Sequence, residues 1–428
     1  MTAVVGILNK HAVALAADSA VTIDGENGRK IFNRANKIFT LSKYHPVGVM
    51  IYNSASFMST PWETIIKIYR KQLKDHSFPT INEYVKDFIR FLAEKNYFTD
   101  DSTKNNFFLA FCNLILYMII EDSLRGNESL KENPQQNANQ IIQLINIKST
   151  EILKQVSRNE ICPALEDYSI DEFLAYANNP LNQLFESQFT QNGINLTDEI
   201  VNIIKSIIYH YFRMKEEYTG FTGLVFVGFG EDEIYPNLIP VDISLVVQNR
   251  LRYFINELKE AKISNEREGA IRPFAQTDVI DTILQGVDPK LEMSYFNNFR
   301  NLLNQYNQEI LRILGDANPQ LSAQIRDLDI NSLSQDYMGS NNQIKSTNFL
   351  IPLMSAVSSL SKEDLAEMAE SLIYLTYLKR RITFAEESVG GPVDVALISK
   401  GDGFIWIKRK HYFRPELNQH FLNNYLNT

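Results

Sequence analysis

Residues 2–41 read TAVVGILNKHAVALAADSAVTIDGENGRKIFNRANKIFTL, and this stretch decides the fold. Its first two apolar runs, TAVVGILN and HAVALAAD, are rich in residues that favour strands and meet at Asn9-Lys10, which fits a hairpin turn. A second turn follows at residues 24–28 (DGENG), and KIFTL and PVGVMIYN supply two more strands. Four strands without a long helix between them predict an antiparallel sheet.

A helical pattern replaces these strands from Ser59 onwards. Thr60-Pro61-Trp62-Glu63 predicts a capping box with proline at the first helical position, and Thr80 begins a similar signal. Apolar residues then recur at helical spacing through residue 215. Helices are predicted over the ranges 105–122, 137–157, 170–188 and 198–215.

The second half of the chain alternates between strand and helix patterns. Strands are predicted at 223–228, 238–243, 393–399 and 404–408, and helices at 245–262, 290–314 and from Ser361, where a capping box begins an amphipathic stripe. Residues 315–347 are polar and are expected to be loop-rich. Separated sheet segments with helices outside them predict an α+β layered fold.

Composition excludes several classes of function. The 428 residues carry a net charge of −9, which disfavours general binding to nucleic acid or to an anionic membrane. Two cysteines, Cys112 and Cys162, cannot form a disulfide framework or a multi-cysteine metal site. No signal peptide is expected at the N-terminus, and the apolar run 107–120 is short for a membrane span. We therefore expect a soluble, cytoplasmic protein.

The amino terminus carries the most informative chemistry. Methionine before a small residue is normally removed, so Thr2 would begin the mature chain with its hydroxyl beside an α-amine of pKa about 8, a nucleophile and a base in one residue. A hairpin at Asn9-Lys10 returns Asp18 to the start of the first strand, and Lys37 begins KIFTL. A buried Lys–Asp pair there would favour the threonine alkoxide. Taken singly, Asp18 is also readable as a turn residue and Lys37 as a surface lysine.

Together these residues match a family pattern. Threonine at the mature start, Asp18-Ser19 closing an Ala-Ala-Asp-Ser strand end, Val21-Thr22 after it and Lys37 before a short strand resemble the opening of proteasome β-subunits and of the HslUV peptidase. These are N-terminal nucleophile hydrolases. The resemblance resumes at 224–242 and in the last helix and strands, through 388–407.

The resemblance implies an α+β fold built as a four-layer αββα sandwich with large helical insertions. The sandwich core is assigned to residues 2–58, 216–262 and 348–415. Residues 59–215 are then a helical insertion, and residues 263–347 a second insertion that is helical and loop-rich.

The resemblance also implies threonine-type peptide-bond hydrolysis without a metal or an organic cofactor. The Thr2 hydroxyl would attack the carbonyl, the Thr2 amine would shuttle the proton, and Lys37 paired with Asp18 would tune the site. Anchored on Gly390-Gly391, the supporting acid of the family falls at Glu386. Its serine position falls at Val389, and the candidate serine, Ser388, lies one residue earlier.

Two further features are implied by the same alignment with the family. The oxyanion hole falls at Asn53, where the family has glycine. The specificity pocket falls at four small or apolar residues: Val21, Ala35, Ile51 and Ala55. Their character predicts an uncharged P1 side chain. These four are equally readable as ordinary core residues.

The implied partners are a peptide or protein substrate, further copies of the chain in a homo-oligomer, and a separate ATP-dependent unfoldase. Two other functions remain open. The same fold could cleave a small amide, or it could be a non-catalytic proteasome-like scaffold whose helical insertion binds a partner. Asn53 in place of glycine, and Ser388 one position early with Val389 in the serine position, favour the scaffold. The intact Thr2, Asp18 and Lys37 favour a hydrolase.

Overall fold

The computed structural model describes residues 2–25, 28–32, 34–94, 100–216, 220–314, 318–383, 389–411 and 413–420. These residues form a mixed α+β structure with antiparallel sheets. The strands are β1 (Ala3–Asn9), β2 (Val13–Ala17), β3 (Val21–Gly25), β4 (Gly28–Phe32), β5 (Ile38–Thr40), β6 (Val47–Asn53), β7 (Ser56–Phe57), β8 (Thr60–Pro61), β9 (Thr222–Gly228), β10 (Asn237–Val247), β11 (Arg250–Ile255), β12 (Ala261–Lys262), β13 (Gly269–Ala275), β14 (Asp394–Ser399) and β15 (Gly403–Lys408).

The α-helices make up most of the remaining described chain. They are α1 (Trp62–Leu73), α2 (Ile81–Glu94), α3 (Asp101–Leu124), α4 (Ala138–Val156), α5 (Ile170–Gln188), α6 (Asp198–Arg213), α7 (Asp278–Gln285), α8 (Pro289–Leu314), α9 (Pro319–Arg326), α10 (Ile330–Lys345), α11 (Ile351–Ser359) and α12 (Lys362–Ile382). A π-helical turn, Ser346–Leu350, joins α10 to α11.

The chain divides into two compact units. Unit 1 comprises Met1–Ile38, Ile234–Pro236 and Ala261–Thr428, and unit 2 comprises Phe39–Glu233 and Asn237–Glu260. The division after Ile38 runs through the segment 2–58 that was assigned to a single core. Each unit has its own sheet, its own helices and its own hydrophobic core.

Unit 1 is built on the sheet β13-β1-β2-β14-β15. Helices α11 and α12 cover one face, where Val5 and Ile7 of β1 pack with Leu365 and Ile373 of α12. The alternate residues of β1, such as Val4, are also buried. A strand buried on both faces reads as a continuous apolar run, which is why TAVVGIL shows no polar alternation.

The predicted hairpin at Asn9-Lys10 is confirmed, and Asn9 organises it. The Asn9 Oδ1 accepts the backbone N–H groups of His11 at 2.9 Å and Ala12 at 3.2 Å. Its Nδ2 donates to the carbonyls of Val357 and Leu360 at the end of α11, at 3.1 and 2.9 Å. Asn9 therefore satisfies the hydrogen-bonding groups of the turn and links the turn to the end of α11.

Unit 2 is built on a sheet in which β11, β10, β9, β6 and β5 follow in that order. Helices α2 and α3 pack on its central strands, and α4, α5 and α6 pack on or beside α3. The rings of Phe88 and Phe226 meet edge to face at 5.2 Å between α2 and β9. Much of the helical stretch 59–215 thus extends the layer on this sheet.

Four sequence predictions of secondary structure are wrong. Residues 245–262 are not helical, because β10 continues to Val247 and returns as β11 through a two-residue turn. Thr60 does not cap α1, since it pairs with Phe57 in β8 and the helix begins at Trp62. Residues 315–347 are largely α9 and α10 rather than loop, and β13 lies where no strand was predicted.

Helix α3 is long and apolar enough to cross a membrane by length and composition, the one such helix among the described residues. It is longer than the predicted apolar run because Asp100 caps it, accepting the Thr103 N–H at 2.6 Å. Its side chains Phe108, Cys112 and Ile115 are buried in the core of unit 2. This side of the helix therefore belongs to the core of unit 2, while Leu114 and Tyr117 on the same helix are exposed.

Candidate active site

Thr2 is held at the start of β1. It is 4% exposed, and its carbonyl accepts the N–H of Gln276 at 3.0 Å, just beyond β13. The next residue, Ala3, pairs with Ala275 in the same register. On the other side the Ala3 carbonyl accepts the Asp18 N–H at 3.1 Å. Two neighbouring chain segments therefore fix the backbone around Thr2, of which the sequence predicted the Asp18 side and not the β13 side.

Asp18 lies beside this residue because β2 runs antiparallel to β1 and ends there. Its side chain is 1% exposed and accepts four hydrogen bonds. Oδ1 accepts from the Ala3 N–H at 2.9 Å and from the Lys37 Nζ at 2.6 Å. Oδ2 accepts from the N–H groups of Ala20 and Gly390, both at 3.1 Å. The buried carboxylate is thus fully satisfied by protein donors.

Lys37 completes the predicted ion pair from the short segment before β5. Its side chain is 3% exposed, and Nζ donates to Asp18 Oδ1 and to the Ala20 carbonyl, both at 2.6 Å. Because Asp18 Oδ1 also binds the Ala3 N–H, the ammonium shares one oxygen atom with the peptide group that follows Thr2. The pairing brings a buried positive charge close to Thr2.

Burial sets the protonation behaviour of Lys37. The loss of solvation lowers the pKa of Lys37 below its ordinary value of 10.5, and the charge and hydrogen bond of Asp18 oppose this lowering. Two other charged groups act on it more weakly: Lys410 lowers the pKa of Lys37 further, and Asp394 raises it. A lysine with a lowered pKa exchanges its proton more readily near neutral pH than an exposed lysine does.

The segment after residue 388 closes over Asp18. Besides the Gly390 N–H bond, the Gly390 carbonyl accepts the Ser19 N–H at 3.0 Å, and the Ser19 hydroxyl donates to the Pro392 carbonyl. Gly391 has φ +77°, a left-handed angle that glycine adopts without steric cost. The Gly390-Gly391 pair thus positions a backbone donor on the carboxylate. Glu386 and Ser388 lie outside the described residues.

The proposed oxyanion residue, Asn53, lies at the end of β6 in unit 2. Its φ is +66°, in the left-handed region that asparagine tolerates better than most residues. Its side chain is exposed.

The four predicted pocket residues have different environments. Ile51 is 3% exposed and packs in the hydrophobic core of unit 2, which favours its reading as a core residue. Ala55 is exposed in the same unit, and its carbonyl accepts the Trp62 N–H at 3.0 Å. Val21 and Ala35 are half-buried in unit 1, where the Ala35 N–H donates to the Ser19 carbonyl at 3.0 Å.

Sequence reasoning missed a second buried ion pair in unit 1. Asp394 stands opposite Ala17, the residue before Asp18, and is 3% exposed in its side chain. It accepts the Lys410 N–H at 2.8 Å through Oδ1 and the Lys410 ammonium through Oδ2. The one available signal was an acid inside the apolar strand Val393–Ser399.

Replacing Lys410 with methionine is expected to lower the free energy of unfolding by about 3 kcal/mol, because the Asp394 carboxylate would stay buried without its counterion. The double variant Asp394→Asn/Lys410→Met should recover part of this loss. Urea unfolding of both variants measures the difference. A single variant as stable as the wild type would contradict a buried pair.

The chain was also compared with known proteins. No family model matches it, and no curated protein matches it in sequence. Membership of the N-terminal nucleophile hydrolases therefore stays a prediction, supported by the residues described above.

Proposed function

We propose that this chain is a threonine-type peptidase of the N-terminal nucleophile class, with Thr2 as the nucleophile after removal of Met1. The observation that carries the proposal is the buried Asp18–Lys37 pair bonded to the backbone immediately after Thr2. A buried ion pair is a weak device for stability alone, since apolar residues of similar size stabilise a core as well or better. The position of the ion pair beside Thr2 therefore supports a role in the chemistry of Thr2.

In the proposed reaction the Thr2 hydroxyl oxygen adds to the scissile carbonyl carbon while the free Thr2 amine takes the hydroxyl proton. The tetrahedral oxyanion then collapses, the C–N bond breaks, and the protonated Thr2 amine gives its proton to the leaving amine. An ester links the acyl group to Thr2. Water, activated by the same amine, hydrolyses the ester and restores the hydroxyl.

Lys37 would lower the energy of the alkoxide that forms on Thr2. Two of its three N–H groups bond to Asp18 and Ala20, and no other acceptor for the third is found among the described residues. That N–H is available to the threonine oxygen. In a site shielded from water, such a preoriented charge is worth more than in solution.

The proposal also includes the further features that the resemblance implies. They are the αββα arrangement, an uncharged P1 side chain, oxyanion stabilisation by the Asn53 N–H, support from Glu386 and Ser388, a cytoplasmic location, a homo-oligomeric state and an unfoldase partner. What supports the layered arrangement is that each unit pairs an antiparallel sheet with a helical layer.

The decisive experiment is intact-mass measurement with N-terminal sequencing, before and after treatment with a peptide epoxyketone. This electrophile bonds to both the hydroxyl and the amine of an N-terminal threonine. We expect Met1 to be absent and one adduct to form on Thr2. The Thr2→Ala variant should lose Met1 equally and form no adduct.

The other outcomes separate the alternatives. Retention of Met1 in the purified protein would overturn the catalytic proposal and favour a scaffold. An adduct together with turnover of acylated amino acids, but not of peptides, would favour the small-amide hydrolase. Loss of Met1 with neither adduct nor turnover would also contradict the peptidase.

A further inference from the structure

Helix α8 is the longest described helix, at 26 residues, yet none of its residues is buried. One side of it packs on α10, where the ring of Phe299 stacks on Tyr337 at 4.3 Å. Arg300 donates to the Asn331 side chain at 2.9 Å beside this contact. Helix α9 packs on it as well, and Asn307 donates to the carbonyl of Ile325 at 3.1 Å. The helix is therefore held in unit 1 by α9 and α10 and is open on its remaining side.

The open part carries a line of large apolar side chains, called here the α8 stripe. Its members are Leu291 (45% exposed), Tyr295 (56%), Leu302 (62%), Tyr306 (67%) and Ile313 (72%). Their spacing follows an 11-residue repeat, because residues 291, 302 and 313 are one repeat apart and so are residues 295 and 306. That period, about 3.67 residues per turn, keeps all five on one side of a nearly straight helix.

The stripe is not the ordinary solvent side of an amphipathic helix. The side facing away from it carries the exposed amide side chains of Asn297, Asn301, Asn304 and Gln308, together with the exposed Met293. Soluble chains seldom leave a contiguous line of large apolar residues in water when a polar face is present on the same helix. The stripe therefore has the character of an interface.

We propose that the α8 stripe is a self-association surface, on which two copies of this chain pack with their α8 helices antiparallel about a two-fold axis at Leu302. Leu291 and Ile313 lie eleven residues to either side of Leu302. A second, reversed copy therefore brings Leu302 against Leu302, and Leu291 against Ile313. This self-complementarity is what a two-fold interface requires.

Charge and area agree with a second copy. In this register no two like charges of α8 are level with each other, and Glu292 and Arg312 are already paired within the chain, with Lys345 and Glu309 respectively. The exposed parts of the five stripe residues amount to roughly 600 Å² per copy, against about 800 Å² per partner in a standard stable interface. The flanking residues of α9 and α10 can supply the remainder.

This surface is independent of the proposed peptidase chemistry, and its test uses association rather than turnover. Sedimentation velocity of the full chain should show a dimer that Leu302→Asp weakens about a hundredfold, since two carboxylates would meet at the axis. Mixing Leu302→Asp with Leu302→Lys should restore association as a heterodimer. Asn304→Asp, on the opposite side of α8, is the matched control and should associate like the wild type.

A cysteine at the axis tests the register itself. Leu302→Cys should form a disulfide-linked dimer under mild oxidation, and Leu291→Cys alone should not, because the antiparallel register brings residue 302 to its own copy but residue 291 to residue 313. A parallel register would bring both residues to their own copies and cross-link both variants. Asn304→Cys should not cross-link, and the native Cys112 and Cys162 are buried. A monomeric wild type, association that survives Leu302→Asp, or a cross-link at Asn304→Cys but not at Leu302→Cys would each overturn the proposal. Because Leu302 is 62% exposed, circular dichroism should show each variant folded.

Discussion

Replacing Thr2 with alanine is expected to lower kcat/KM for peptide hydrolysis by about 10⁴-fold or more, down to background. The proposed mechanism has one nucleophile, the Thr2 hydroxyl, and alanine removes its oxygen while leaving the backbone bond between the Thr2 carbonyl and the Gln276 N–H in place. The measurement is the rate of cleavage of fluorogenic peptides with apolar P1 residues. Methionine removal is expected before alanine too, so processing is unchanged.

Serine at position 2 is the matched control. Thr2→Ser keeps the hydroxyl beside the amine and should retain a measurable part of the activity, while Thr2→Ala should not. Equal unfolding curves for the wild type and both variants would show that loss of activity is chemical rather than structural. Peptide cleavage by Thr2→Ala at the wild-type rate would remove Thr2 from the mechanism.

The strand and helix boundaries followed from sequence wherever local signals and tertiary packing agree. Helix α5 was predicted over 170–188 and is found at Ile170–Gln188, because Ser169 and Glu172 form a capping box at its start. The β1–β2 hairpin was also predictable from the sequence, since both strands are buried on both faces and meet at a turn. In these segments the residues close in sequence are enough to determine where the helix or strand begins and ends.

Prediction failed where a strand depends on a distant partner. The apolar residues from Ile243 to Ile255 are spaced so that they also satisfy a helical period, and only pairing with β9 and the turn at Gln248, with φ +54°, makes them β10 and β11. Strand β13 contains Pro273, which argues against a central strand. It is tolerated because β13 is at the edge of its sheet.

The residues of the candidate site also separate into those that the sequence identified and those that it did not. Asp18 and Lys37 were identifiable because a short hairpin and a short strand fix their places relative to Thr2. The Gly390 N–H that binds Asp18 was not identifiable, because a backbone donor can come from any residue type except proline. The Asp394–Lys410 pair lies at the open end of the β14–β15 hairpin, beyond a register shift between Val395 and Ala396 that residue types alone do not specify.

Replacing Asp18 with asparagine is expected to cost about 3–5 kcal/mol of unfolding free energy and to abolish hydrolysis. The amide keeps the size of the carboxylate but leaves the Lys37 ammonium buried without its counterion. The amide also has only one acceptor oxygen for the four donors that now converge on Asp18. Chemical denaturation of the single variant and of Asp18→Asn/Lys37→Met measures the effect, and the double variant should recover part of the stability.

The pH dependence gives this variant a signature that a merely structural defect would lack. Asp18 opposes the lowering of the Lys37 pKa, so its loss should lower that pKa further. The unfolded chain then holds the Lys37 proton up to about pH 10.5 while the folded chain releases it earlier, so stability should rise with pH between the two pKa values. The rise should begin at lower pH in Asp18→Asn than in the wild type and be missing in the double variant. An identical pH profile in all three proteins would show that Lys37 does not titrate under the control of Asp18, and the electrostatic role proposed for the pair would fail with it.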